Sequence, residues 1–281
     1  MDGAEPIGRE EIVVQHSRGV VAGLLLALVW GGESQAAEGV LEINATCAAV
    51  GCFAGDTAGL PVEIIQPGSY RLTGNFVTTD PNQTFISIAV SEVTLDLGGF
   101  ALKGPNFCLN PVTTPCSNLG TGVGIDVTSA SNRITIRNGQ IEGMGNTCVR
   151  LAGGMGQIHG LNIEGCGGDG IFIGFLSNVF DNVVRRCVGS GIRFTGSANV
   201  HHNISDLNGQ SGYLNGFASL SSTTLLSDNI ATQNGGPGLS LLTGDAYRGN
   251  ALRANNGGSA NPQVTGGLSL GSNLCGNAAC P

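Results

Sequence analysis

A four-residue phrase returns along the chain about every two dozen residues: a small residue, then apolar, variable and apolar ones. It reads Gly124-Ile125-Asp126-Val127, Cys148-Val149-Arg150-Leu151, Gly170-Ile171-Phe172-Ile173, Gly191-Ile192-Arg193-Phe194, Gly212-Tyr213-Leu214-Asn215 and Gly238-Leu239-Ser240-Leu241, with starts 24, 22, 21, 21 and 26 residues apart. Alternation is the period of a strand, and a repeat of this length is the mark of a solenoid. One such coil holds about three strands of ~4 residues, each residue rising ~3.3 Å, plus the turns between them. Composition agrees: 47 of 281 residues are glycine, 11% are charged and Lys103 is the single lysine. Gly, Asn, Ser and Thr between short Val/Ile/Leu runs fit many short strands and tight turns.

The apolar run Val20–Trp30, followed by Ser34-Gln35-Ala36, reads as the core and cleavage site of an export signal over residues 1–36. Arg18 stands where such a signal carries its positive charge, although Asp2, Glu5, Glu10 and Glu11 precede it. The run is too short for a membrane span, which takes ~20 apolar residues. Cleavage removes five acids and two arginines from a formal charge of −8, leaving −5 on a secreted or periplasmic chain. An acidic chain without a dense basic patch is not expected to bind nucleic acid.

Nine cysteines fit an oxidising compartment. Three pairs are close in sequence: Cys47 with Cys52, Cys108 with Cys116, and Cys275 with Cys280. The outer two sit where a solenoid needs capping, and the middle one would staple a loop. Cys148, Cys166 and Cys187 remain with their pairing open; Cys166 and Cys187 fall in one column of adjacent coils, close enough to touch or bond. No Cys-x-x-Cys and no histidine at ligand spacing suggests a zinc site, so no metal ligand is assigned.

The expected layout is a cap segment over 37–83, coils over 84–256 interrupted by a proline-bearing loop at 104–119, and a C-terminal cap over 257–281. Second strands include Ile134-Thr135-Ile136 and Asn199-Val200-His201. Two further columns, Asn182/Asn203/Asn229/Asn250 and Cys166/Cys187/Asn208/Asn234/Asn255, predict stacked turn asparagines that satisfy one another.

With these repeats aligned, residues 84–256 resemble the pectin-lyase-like right-handed parallel β-helix family. The phrases that carry the resemblance are Val93-Thr94-Leu95-Asp96-Leu97-Gly98-Gly99-Phe100, Ile134-Thr135-Ile136-Arg137-Asn138-Gly139 and Gly168-Asp169-Gly170-Ile171. The Cys47–Cys52 segment, Gly68-Ser69-Tyr70-Arg71-Leu72 and the Cys275/Cys280 pair resemble those of uncharacterised secreted bacterial members. The resemblance implies an all-β, right-handed, single-stranded parallel β-helix with capped ends, expected as a monomer. It leaves function open, because this fold hosts lyases, hydrolases, epimerases, esterases and adhesins.

The variable positions form an outward column of Ser87, Asp126, Arg150, Phe172, Arg193, Leu214 and Ser240. Arginine recognises carboxylates in forked fashion, and an aromatic ring offers a surface to a sugar. The column therefore points to an acidic polysaccharide as partner. In pectate-lyase-like enzymes an arginine removes the proton beside a uronate carboxylate while carboxylates hold Ca²⁺; Asp126 with Arg150 or Arg193 is the nearest counterpart, and Ca²⁺ stays an open cofactor. A second column reads His159, Phe180, His201, Ser227 and Arg248, beside Asp181, His202 and Asp228. There His201 is a candidate acid or base and His159 and Phe180 candidate substrate contacts. A third, Glu164/Arg185/Asp206, reads as exposed ion pairs worth at most ~1 kcal/mol each, and Asp96 and Arg137 are expected to pair. Asp169 reads as a turn residue, since the Asn-Thr-Asp, Gly-His-Gly and Arg-Ile-Lys companions of polygalacturonases are missing. The Asp-Pro-His-Glu phrase of alginate epimerases is missing too. Lys103 is the one candidate for a lysine-based lyase. Two readings stand: a secreted β-helix that binds, or also cleaves, acidic polysaccharide as a lyase or hydrolase, and a non-catalytic adhesion or structural β-helix. Whether it is an enzyme is left open, with the loop at 104–119 as the one long insertion able to wall a cleft.

Overall fold

A computed structural model describes residues 39–128, 130–209, 212–215 and 223–280; the leader expected over 1–36 lies outside the described residues. No helix among them is long and apolar enough to cross a membrane. The described residues form a parallel β-solenoid with three faces. Face one is a sheet of nine parallel strands, from Val62–Ile64 through Ile125–Val127, Val149–Leu151, Ile171–Ile173 and Ile192–Phe194 to Val264–Thr265. Faces two and three are joined in one eighteen-stranded sheet, because Ile134–Glu142 and Gln157–Glu164 run through the corner between them.

Register follows from the alternation. Ile86, Ile125, Val149, Ile171, Ile192, Tyr213 and Leu239 are successive partners on face one. The first five of these are fully buried, as are Ile88, Val127, Leu151, Ile173 and Phe194 in the next inward column. A one-residue slip would turn every one of these apolar side chains to water, so pairing of successive coils is strongly specified. The glycine that opens each phrase is demanded by crowding at the corner of faces three and one. A Cβ at Gly170 would stand 2.1 Å from Val184 Cγ1, and one at Gly191 2.1 Å from Ser205 Oγ.

At the same corner Cys148 replaces the glycine and bonds Cys166 (S–S 1.99 Å). Cys166 and Cys187 are neighbours in adjacent coils, but the bond left open between them is not formed: Cys166 is already used within its own coil, and Cys187 is a free, buried thiol. Burial pushes that thiol up to about 12. The other three expected disulfides, Cys47–Cys52, Cys108–Cys116 and Cys275–Cys280, are present.

The stack extends past the 84–256 limits of the legible repeat. Val62–Ile64 pairs with Ile86–Ile88 and Gly68–Leu72 with Val93–Asp96, while Val264–Thr265 and Leu274–Cys275 continue it at the other end. Before the first coil, the short helix Ala45–Ala48 is capped by Asn44, whose Oδ1 accepts the Thr46 and Cys47 N–H groups at 3.1 and 3.0 Å. Its Ala48 is buried, and Phe53 packs edge-on against the buried Tyr70 at 5.1 Å. At the far end Leu274–Cys275 turns back antiparallel onto Ala278–Ala279, which blunts the final edge of face three.

Both asparagine columns form ladders. On the corner between faces two and three, Asn182, Asn203, Asn229 and Asn250 each donate Nδ2 to the next coil's Oδ1 at 2.9, 3.1, 3.1 and 3.0 Å, the last to Asn273. The second Nδ2 proton reaches a carbonyl of the preceding coil, such as Val179 at 2.8 Å and Val200 at 2.8 Å. On the next corner Asn208, Asn234 and Asn255 do the same, ending on Gln263 Oε1. Each ladder amide has its Oδ1 and its Nδ2 engaged inside the wall, which is why such polar side chains tolerate full burial.

Candidate functional site

The register delivers the two outward columns the spacing predicted. On face one, Ser87, Asp126, Arg150, Phe172, Arg193, Leu214 and Ser240 are successive partners. Asp126 and Arg150 form a forked pair, with Nε–Oδ1 at 2.7 Å and Nη2–Oδ2 at 2.6 Å. That hydrogen bonding holds the Arg150 guanidinium above its ordinary value, with burial opposing it. Arg193 lies over the Phe172 ring, 5.7 Å from its centre, the geometry of a cation on an aromatic face. Its Nη1 is 3.6 Å from Asp169 Oδ2, so the arginine's carboxylate partner is Asp169 and not Asp126. Asp169 also accepts the Ser190 N–H at 2.8 Å; burial raises its carboxyl, against the pull of that bond and of Arg193. The sequence signal for this partnership was the Asp between two glycines one coil earlier, read only as a turn.

On face two the column Asp96, Arg137, His159, Phe180, His201, Ser227 and Arg248 is equally continuous. Asp96 pairs with Arg137 at 3.2 Å. The three rings stack in parallel: His159 on Phe180 at 4.6 Å and 9°, Phe180 on His201 at 5.1 Å and 5°. Both faces of the Phe180 ring are thereby taken. Phe172 likewise has Arg193 on one face. Phe180, a candidate substrate contact, therefore offers no free flat face: parallel β-coils place like positions ~4.8 Å apart, close to ring-stacking distance, so neighbouring rings cover one another. What the column presents outward is ring edges and nitrogens. A parallel outward column of Thr94, Thr135, Gln157, Asn178, Asn199 and Leu225 runs beside it. Sequence reasoning passed it over, although Asn178 and Asn199 stand 21 residues apart.

The four residues singled out for chemistry do not converge. Asp126, Arg150 and Arg193 belong to face one and His201 to face two, and Asp126 and Arg193 are three coils, on the order of 14 Å, apart. Nor does the face-one column fit Ca²⁺, which takes 6–8 oxygen ligands: both Asp126 oxygens are held by Arg150, and Asp169 is committed to Ser190 and Arg193. Among the described residues no three His, Cys, Asp or Glu side chains cluster in a metal-binding arrangement.

The third column divides differently from the expected ladder: Arg185 pairs with Glu164 at 3.0 Å, Arg186 joins the same carboxylate, and Asp206 accepts the Thr232 hydroxyl at 2.7 Å. Lys103, the lone lysine, is 2.6 Å from Glu142. The 104–119 loop rises from this side. Asn106, buried, donates Nδ2 to the carbonyls of Met144 (3.1 Å) and Gly165 (2.8 Å) and so pins the loop across successive turns. Between loop and face lies a cavity of about 330 Å³ lined by Asn106, Phe107, Cys108, Glu142 and Glu164. The cavity thus lies against Glu142 and Glu164, and none of the face-one arginines lines it. No family model matches the chain, and no curated protein or solved structure is significantly similar to it.

Proposed function

We propose that this chain is an exported, monomeric β-helix that binds an acidic polysaccharide along face one without cutting it, as a divergent relative of the pectin-lyase-like proteins. The observation that carries the reading is the Arg150–Phe172–Arg193 column. Its two guanidinium groups stand two coil steps of ~4.8 Å apart on one exposed line. Arg193 is oriented by Phe172, and its contact to Asp169 is long, which leaves donors for a uronate carboxylate. Among the described residues none is seen to wall this strip, which suits an extended polymer bound at many weak points. The dispersal of Asp126, Arg150, Arg193 and His201 over two faces supports binding in preference to cleavage. Four disulfides support export through the 1–36 leader.

The test is binding of the purified chain to a panel of anionic and neutral polysaccharides. Polyuronides are expected to bind and neutral glucans not, with affinity at least about tenfold lower in Arg150→Ala/Arg193→Ala. Asp126→Asn, which releases Arg150, is expected to tighten binding. Unchanged affinity in the double variant would remove the site. New ultraviolet absorbance from an unsaturated uronate product would replace binding by lyase activity.

A further inference from the structure

At the corner between faces two and three each coil turns through a residue in the left-handed conformation: Asn138 (φ 59°), Gly160 (67°), Asp181 (56°), His202 (54°) and Asp228 (58°) in successive coils. His202 directly follows His201, an outward residue of face two. Consecutive strand residues point to opposite faces, but this turn folds the second imidazole back onto the first. The ring centres are 5.1 Å apart at 87°, and the two Nδ1 atoms 2.9 Å apart.

The far nitrogen of His201, Nε2, is 3.1 Å from Asn178 Oδ1. That oxygen also accepts Asn199 Nδ2 at 3.2 Å. An amide oxygen has no proton to give, so Nε2 of His201 is the donor, and the neutral ring keeps its lone pair on Nδ1, facing His202. Stacking on Phe180 holds the ring plane. An imidazole oriented by a hydrogen bond at its outer nitrogen is the usual preparation of a metal-binding histidine.

We propose that His201 and His202 form a two-imidazole site for a divalent transition-metal ion, Cu²⁺ foremost, bound through both Nδ1 atoms with solvent completing the coordination. The separation selects the geometry. Two nitrogens ~2.0 Å from one ion lie ~2.8 Å apart at the right angle of a square-planar centre and ~3.3 Å apart at a tetrahedral one. The observed 2.9 Å matches the first. In the free site His202 Nδ1–H donates to His201 Nδ1; on metal binding His202 passes through solvent exchange to its Nε2–H tautomer, and rotation of its exposed ring turns the freed Nδ1 lone pair toward the ion. Imidazole donors favour Cu²⁺, Ni²⁺ and Zn²⁺ over Ca²⁺ or Mg²⁺, and Cu²⁺ stands highest in affinity. Asp181 and Asp228, in the corner positions one coil before and one after His202, supply negative charge beside the ion. The site is independent of the polysaccharide reading, which rests on face one.

The experiment titrates the full chain with Cu²⁺ by calorimetry and records the electron paramagnetic resonance of the complex. One equivalent is expected, with coupling to two imidazole nitrogens, and Zn²⁺ binds more weakly. His202→Asn keeps a side chain that tolerates the left-handed turn and is expected to weaken Cu²⁺ binding at least about tenfold. His159→Gln, at the other histidine among the described residues, leaves it unchanged. Circular dichroism verifies that each variant is folded. Equal Cu²⁺ affinity in the wild type and His202→Asn, absence of stoichiometric uptake, or a spectrum with a single nitrogen would each overturn the site.

Discussion

His159 and His201 show how one stacked position determines the behaviour of a residue. Each imidazole is held below its ordinary value. For His159 burial is the main cause, helped by Arg137 and opposed by Asp181 and Asp96; for His201 it is burial again, helped by His202 and opposed by Asp181 and Asp228. Folding therefore favours the neutral rings. The unfolded chain takes up these protons near the ordinary value of ~6.5, while the folded chain does so only at lower pH. Stability from this source is present above about pH 6.5 and declines as pH falls from there through the folded values. Melting temperatures measured between pH 7.5 and 5 are expected to fall, and to fall less in His159→Gln. An acid limb identical in the two proteins would contradict the assignment.

At the scale of the element, the asparagine ladders are where the fold has most to lose. In Asn229→Ala the backbone N–H of the buried Asn203 loses its acceptor (3.0 Å) and the Val200 carbonyl loses its Nδ2 donor (2.8 Å), while Asn203 Nδ2 keeps the Val179 and His201 carbonyls. Each orphaned buried group costs about 1–3 kcal/mol, so a loss of about 3 kcal/mol or more is expected in denaturant unfolding. A change below about 1 kcal/mol would mean that water repairs the gap. These ladders were legible in the sequence because an asparagine recurs at the coil period and has few other reasons to be buried. The first and last coils were not. Val62-Glu63-Ile64 follows Pro61 where Gly124, Gly170, Gly191, Gly212 and Gly238 open later coils, and Val264 follows Gln263, the residue that ends a ladder. The Cys148–Cys166 bond was hidden for another reason. Comparing like positions in successive coils finds neighbours along the stack, whereas this bond crosses one corner of the interior between unlike positions. The same blindness concealed Asp169 as the partner of Arg193.

For the whole molecule, the exposed strand edges at the end of the stack are the liability. Deleting 264–281 would strip the partners from Leu239–Ser240, Ala246–Arg248 and Ala251–Arg253, and open parallel edges recruit other chains. Light scattering is expected to find oligomers for this truncation; a monodisperse monomer would show that the last complete coil protects itself. The outward columns through Arg150 and His201, by contrast, were legible once the repeat was aligned, since inward apolar residues fix which outward side chains become neighbours, while the Asn178/Asn199 column beside them was passed over. What they do together was not, because stacking and ion pairing depend on side-chain directions that spacing does not carry. The coils opening at Gly170 and Gly191 have the same length, 21 residues, and each pairs with the next in the same backbone register. A duplicate of such a unit could be spliced between them in frame, so genetic slippage alone suffices to lengthen the protein by one storey of ~4.8 Å without redesigning any neighbour.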